Sequence, residues 1–172
     1  LKEIRFLVSA QNNFEIIKHA INKTDEGFKD FIYNNDVNNE IIEQSYKIPC
    51  FESMFTEKDY KEIVAEGCFP MLPLTAYSLL NISEKVAQNE RSIFTFIANE
   101  EKGTVITAIE EGREDLIAVD MVYDYFENLF RDNVSLTNIH NEWLKADYAI
   151  TKAESLAEEK VREAFDTSPE SE

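Results

Sequence analysis

Gln88-Asn89-Glu90-Arg91-Ser92 is the densest group of chemically able side chains in the sequence, and it interrupts an apolar-periodic run. Leu79, Ile82, Val86, Ile93 and Ile97 lie three, four or seven positions apart, as one face of a helix places them. Polar groups inside such a run are costly unless they meet solvent, a partner or a ligand. Arg91 carries a permanently charged planar guanidinium, able to hold phosphate oxygens bidentately as sensor and transition-state arginines do. Glu84 and Glu90 offer it ordinary ion pairs instead. Residue types and spacing leave both readings open.

Other signatures of chemistry are missing. The sequence has no Gly-x-x-x-x-Gly-Lys phosphate loop, no Gly-x-Ser-x-Gly elbow and no His-Glu-x-x-His helix. If nucleotide matters to this chain, most of its binding site lies outside the segment. Cys50 and Cys68 are eighteen apart without a Cys-x-x-Cys motif, and His19 and His140 are distant from each other, so zinc is unsupported. Both cysteines flank apolar residues, which suits reduced, buried side chains more than a disulfide. Leu116-Ile-Ala-Val-Asp120 looks superficially like a magnesium-binding strand, but Asp120 sits where a helix cap belongs. Tyr123, Tyr125, Phe126, Leu129 and Phe130 cluster on one expected helix. Base-stacking platforms normally come with basic residues, and this helix carries Asp124 and Glu127, so core packing is the better reading.

The elements that would position these residues are mostly helical. Ile4-Arg-Phe-Leu-Val-Ser9 is a short β-like run, followed by a helix that Asn12 or Asn13 can cap, with Phe14, Ile17 and Ile21 as its stripe. Thr24-Asp-Glu-Gly27 ends that helix, Phe28, Phe31 and Ile32 mark another, and Asn34 to Asn39 reads as loop or cap. Residues 40 to 66 read as helix broken at Pro49, with a capped start at Thr56 to Asp59 and an end at Gly67. Pro70 and Pro73 lead into the long apolar-periodic helix, which Asn99 to Gly103 closes. Thr104 to Ile109 is open between strand and helix. Asp120 is expected to cap a helix over 121–131. Residues 137 to about 165 read as one helix whose seam, Ile139, Trp143, Ala146, Ile150, Ala153 and Ala157, steps like a heptad. Packing is expected at its N-terminal half and exposure at its C-terminal half.

Composition bounds the class. The 172 residues include 12 Phe and 7 Tyr, enough for a real core, and only 4 Gly and 4 Pro, which favours helices over sandwiches or barrels. Net charge is −17, from 34 acids against 17 bases, so this segment is not expected to bind nucleic-acid backbones or anionic membranes. The chain starts at Leu1, without a basic-then-apolar leader or an 18-residue apolar run. It reads as a soluble, cytoplasmic piece of a larger protein, although processing would also remove a Met.

Phe69-Pro-x-x-Pro-Leu-Thr-Ala-Tyr-x-Leu-Leu, continuing through Ile-Ser-Glu-Lys-Val-Ala-Gln-Asn-Glu-Arg-Ser-Ile-Phe-Thr-Phe-Ile97, resembles a segment of large bacterial P-loop ATPases. These are AAA-related ATP-binding proteins, including the ATPase components of BREX-type phage-defence systems. In them a similar Gln-Asn-Glu-Arg helix follows the nucleotide-binding core. Val119-Asp-Met-Val-Tyr-Asp-Tyr-Phe126 is similar to their next helix. The resemblance covers about 70 to 130, and the chain departs from the pattern at Met71 and Leu72 and in having no Walker motif.

The resemblance implies a helical lid and linker behind an ATPase core. Residues 1–66 would be the end of that core or a helical linker, 67–135 a lid-like domain, and 136–172 a long helix with an acidic tail. Arg91 would sense phosphate, oriented by Gln88, Asn89 and Glu90, and Gln11, Asn12 and Asn13 would stand in a core-end sensor position. ATP and Mg2+ would belong to the parent protein, with no cofactor and no catalysis expected of the segment alone. Its partners would be the rest of the ATPase, and a second copy or another protein through the last helix. The alternative is a non-enzymatic helical protein-protein interaction module. The expected fold is mainly α, a helical bundle with at most one or two short strands and a long C-terminal helix.

Overall fold

The structure is a computed structural model and describes residues 10–85, 93–112, 115–132 and 137–166, with side-chain surroundings through residue 160. Among the described residues the protein is mainly helical, with ten α-helices, one π-helical turn and no strand. Two compact units form, Leu1–Tyr125 and Phe126–Glu172. No described helix is long and apolar enough to cross a membrane.

The first unit begins with α1 (Ala10–Ala20), whose Phe14 and Ile17 are fully buried. The helix is already under way at Asn12 and Asn13, so neither caps it, and it stops at Ala20 rather than at Thr24 to Gly27. Next come α2 (Gly27–Tyr33) and α3 (Asp36–Tyr46). Asn35 caps α3, its Oδ1 accepting from Val37 N at 3.0 Å and Asn38 N at 3.2 Å. The asparagine-rich stretch is therefore a cap and the first turn of a helix, not a loop. Pro49 ends the run as expected and opens the one-turn helix α4 (Pro49–Glu52), where its missing N–H is harmless.

Thr56 caps α5 (Glu57–Asp59), accepting from Asp59 N at 3.2 Å. The chain then widens into a π-helical turn, Tyr60–Ala65, in which Glu66 N donates to Lys61 O. Gly67 follows this turn, and a Cβ there would stand 2.0 Å from Ile63 O. Close backbone approach, not a left-handed conformation, requires glycine at this position.

The Phe69–Pro70 peptide is cis, and Pro73 opens α6 (Pro73–Lys85). α7 (Ile93–Ala98) carries the second half of the apolar-periodic run. The intervening residues, and Ile4 to Ser9, lie outside the described set. Thr104 to Ile109 resolves as helix: Thr104 precedes α8 (Val105–Glu110), its N–H donating to Thr107 Oγ1 at 3.1 Å. Capping and the burial of Val105 and Ala108 on one face outweigh the β-branched composition. Leu116-Ile117 makes one parallel bridge, Met71 to Ile117. α9 (Val119–Asp132) starts one residue before Asp120, which therefore sits in the first turn, favourable to the helix dipole, rather than at the cap.

An aromatic core fills the first unit. Phe51 is fully buried and lies 6.1 Å from Phe14, 5.4 Å from Tyr60 and 5.8 Å from Tyr77, ring centre to ring centre. α1 packs on the π-helical turn, α6 and α7, so contacts run across residue 66. In the second unit Phe126 and Phe130 stack at 5.9 Å, and α10 (Thr137–Asp166) is a single helix. His140 Nδ1 lies 2.9 Å from Phe130 O, and Trp143 is buried while Ile150 and Leu156 are exposed.

Two outcomes follow. Gly67→Ala should lose about 1–3 kcal/mol, seen as a lower urea midpoint, because its Cβ meets rigid backbone. Tyr60 donates its hydroxyl to Ile42 O at 3.0 Å, and burial raises its pKa above the usual 10.0. The folded state therefore keeps a proton that the unfolded chain releases, so stability is intact below the ordinary tyrosine value and falls as pH rises above it. Urea titrations at about pH 8 and about pH 11 should show that fall, with a shallower slope in Tyr60→Phe.

Candidate functional site

Of the sequence-predicted residues, Gln11, Asn12 and Asn13 stand in the opening turns of α1. Gln88, Asn89, Glu90 and Arg91 lie outside the described residues. The elements on either side of that cluster, α6 and α7, both pack on α1 and on each other. α1 is thus the helix against which the chain is held just before and just after the cluster.

Gln11 Nε2 donates to Met54 O, tying the start of α1 to the chain between α4 and α5. Asn13 faces a cavity of about 320 Å³ that it shares with Cys50, Ser53, Tyr77, Asn81 and Glu84. α1, α4 and α6 therefore each contribute polar atoms to one space. Asn81 is held by its own helix, Nδ2 donating to Tyr77 O at 2.8 Å. Carboxamides, hydroxyls and one carboxylate can orient a polar group by hydrogen bonding. The buried Cys68 is not a nucleophile here: loss of solvent pushes its thiol up to about 12, so it stays protonated near neutrality. Among the described residues no group of three metal-ligating side chains comes together.

A second concavity was not legible in the sequence. It has a volume of about 910 Å³, with Phe28, Phe31, Phe69, Pro70 and Leu116 among its walls. Phe69 lies 5.4 Å from Phe28 and 6.0 Å from Phe31. The i, i+3 spacing of Phe28 and Phe31 was a visible hint, but nothing local announces that Phe69 joins them. Lys23 stands beside it, its Nζ donating to Gly67 O at 2.7 Å and lying 5.8 Å from the Phe28 ring centre. Burial lowers the Lys23 pKa, because part of its hydration is lost. On the other side of the loop, Lys18 pairs with Glu62 at 3.0 Å, and Lys29 and Tyr33 both reach Glu66.

Lys23 reads as a strut that fastens the α1–α2 loop to the end of the π-helical turn. Lys23→Met should lower stability by about 1 kcal/mol, the worth of one charge-assisted bond discounted for a half-exposed group. The sign of its pH dependence is opposite to that of Tyr60. A lysine of lowered folded pKa binds fewer protons folded than unfolded, so stability gains as pH rises through the folded value toward 10.5. In Lys23→Met that gain should be absent from a urea titration over the same range.

Compared with known proteins, the chain matches no family model, no curated protein and no solved structure.

Proposed function

We propose that this chain is the helical lid and linker portion of a larger P-loop ATPase, coupling nucleotide state to movement of its helices. One observation supports the reading most. The two segments that resemble those ATPases, Phe69 to Ile97 and Val119 to Phe126, are held together by Ile117 just before the second and by Tyr125 within it. Leu72 N donates to Ile117 O at 2.9 Å and Ile117 N to Pro70 O at 2.9 Å. Tyr125 donates to Thr95 Oγ1 at 2.9 Å, and the Phe96 and Tyr125 rings meet edge to face at 5.2 Å. A displacement of α7 would therefore be felt at α9.

In this reading Arg91 senses phosphate from its own or a neighbouring subunit, with Gln88, Asn89 and Glu90 orienting it. Gln11, Asn12 and Asn13 lie on the helix that α6 and α7 grip, where a change at the cluster would reach them first. ATP and Mg2+ belong to the rest of the protein, and the segment alone turns nothing over.

A specific observation favours a second reading, a helical module that binds another protein through α10. Its seam passes from buried Trp143 to Ile150, which is 46% exposed, and Leu156 is 45% exposed. A helix presenting apolar residues this way offers a face to a partner.

The test is ATP turnover by the polypeptide as its gene encodes it, wild type against Arg91→Ala, with thermal stability measured alongside. Turnover should fall about tenfold or more at unchanged stability, equal to about 1.4 kcal/mol of transition-state stabilisation. Unchanged turnover, or a gene without a phosphate loop upstream of Leu1, would overturn the reading and bring the interaction module forward.

A further inference from the structure

The groove beside α2 combines three features that belong together chemically. Its floor is aromatic: the Phe69 ring lies 5.4 Å from that of Phe28 and 6.0 Å from that of Phe31. Phe31 is 37% exposed and Phe28 and Phe69 are half-buried, which leaves part of a large ring without a protein neighbour. Its rim is acidic: Asp25 and Asp115 both border the space, and neither has an ion-pair partner among the described residues. Asp25 uses one oxygen to accept from Gly27 N at 2.7 Å, which fixes the carboxylate and leaves its other lone pairs open.

The chain's own chemistry shows what such rings accept. The ammonium groups of Lys23 and Lys29 lie 5.8 Å and 5.9 Å from the Phe28 ring centre. Cations are drawn to the negative face of an aromatic ring, and arginine most often, because its guanidinium stacks as well as pairs. Among the described residues that line the groove Lys23 is the one positive group, and it is committed to the Gly67 and Ile21 carbonyls. Among the described lining residues two acids stand against one lysine, a negative balance on a chain whose total charge is −17. A second copy of the same chain is a poor occupant, since like charge would meet like. The volume of about 910 Å³ is that of a site for a few side chains rather than a single ion.

We propose that this groove binds an apolar, arginine-bearing peptide segment of a partner protein. Aliphatic or aromatic side chains of the segment lie on Phe31, Phe69 and Leu116. The guanidinium stacks on an exposed ring and pairs with Asp115 or Asp25. This proposal stands on the groove and does not rest on the ATPase reading.

The experiment uses the full chain and three synthetic probes: acetyl-Leu-Arg-Leu-Arg-amide, its Leu-Glu-Leu-Glu analogue and its Ser-Arg-Ser-Arg analogue. Binding is followed by chemical-shift mapping at moderate salt. The Leu-Arg probe should move the resonances of α2, Phe69 and Asp115 and bind about tenfold or more tightly than either analogue. The double variant Phe31→Ala with Asp115→Asn should weaken it about tenfold, while Glu40→Gln, on the exposed side of α3, should leave it unchanged. Retained thermal stability in the double variant shows that the loss is one of binding. Equal binding of the Ser-Arg probe would reduce the effect to bulk charge and overturn the proposal. So would shifts elsewhere on the chain, indifference to the double variant, or light scattering that shows copies of the chain pairing through this face.

Discussion

The pairing of Pro70-Met71-Leu72 with Ile117 is the constraint on which the first unit depends. Ile117 donates to Pro70 O, and its own carbonyl accepts from both Leu72 N at 2.9 Å and the Thr75 hydroxyl at 2.8 Å. Thr75 and Ile117 are 42 residues apart in the chain, so this small ladder closes a long loop containing α6, α7 and α8. Closing such a loop loses chain entropy that three hydrogen bonds at about 1 kcal/mol each would barely offset. Burial supplies the rest, since Met71 and Ile117 are each only 1% exposed. Thr75 has a double use: it stands in the first turn of α6, where N-terminal helix geometry is set, and its hydroxyl completes the lone pairs of a buried carbonyl. The start of α6 and the start of α9 are thereby placed by one residue pair.

The second organising device is the widened turn at Tyr60–Ala65. A π-helical turn inserts one residue relative to an α-helix and rotates everything after it. Here that rotation keeps Tyr60, Val64 and Ala65 all inward, on a surface shared by α1 and α6. The wider turn leaves Gly67 pressed against Ile63 O, so the irregularity demands the only residue without a Cβ two positions later. Tyr60 anchors the other end through Ile42 O, and its ring lies 5.1 Å from Tyr46.

Much of this was legible where the signal is local. Thr56 and Pro73 announced helix starts, Pro49 a break and Asn34 to Asn39 a loop or cap, because capping and the missing proline N–H act within one turn. Period put Trp143 and Ile150 on one seam of α10, and the expected packing of its N-terminal half and exposure of its C-terminal half match buried Trp143 and exposed Ile150. What failed was local chemistry overridden by neighbours. Asn12 and Asn13 have a cap's side chains but sit inside α1, and Asp120 was displaced from the cap by a helix that begins at Val119. Thr104 to Ile109 stayed open between strand and helix because of its β-branching, and the bonds between Thr104 and Thr107 decide it as a helix start. The shared cavity of Asn13, Asn81 and Glu84, and the joining of Phe69 to Phe28, depend on tertiary closure, which no short window contains. The Gln88 to Arg91 cluster, the sequence's strongest functional signal, keeps its standing from residue type and spacing.

The groove and the ladder share residues, which gives the fold a route from an occupied surface to its helices. Pro70 and Leu116 border the groove, and the carbonyl of Pro70 is the acceptor for Ile117 N. Phe69, whose ring is part of the floor, immediately precedes that acceptor. An occupant resting on Phe69 thus bears on the strand-like pair that sets where α6 and α9 begin. It shifts nothing if it fits two arrangements of that pair equally well, because a ligand moves an equilibrium only by its difference in affinity between states. The pair is short: Leu72, Ile117 and Thr75 donate its three hydrogen bonds, and the burial of Met71 and Ile117 does the rest. A contact made on Phe69 in only one arrangement of the pair would couple the groove to the starts of α6 and α9. Midway along α9, α7 meets it through Thr95, Phe96 and Tyr125.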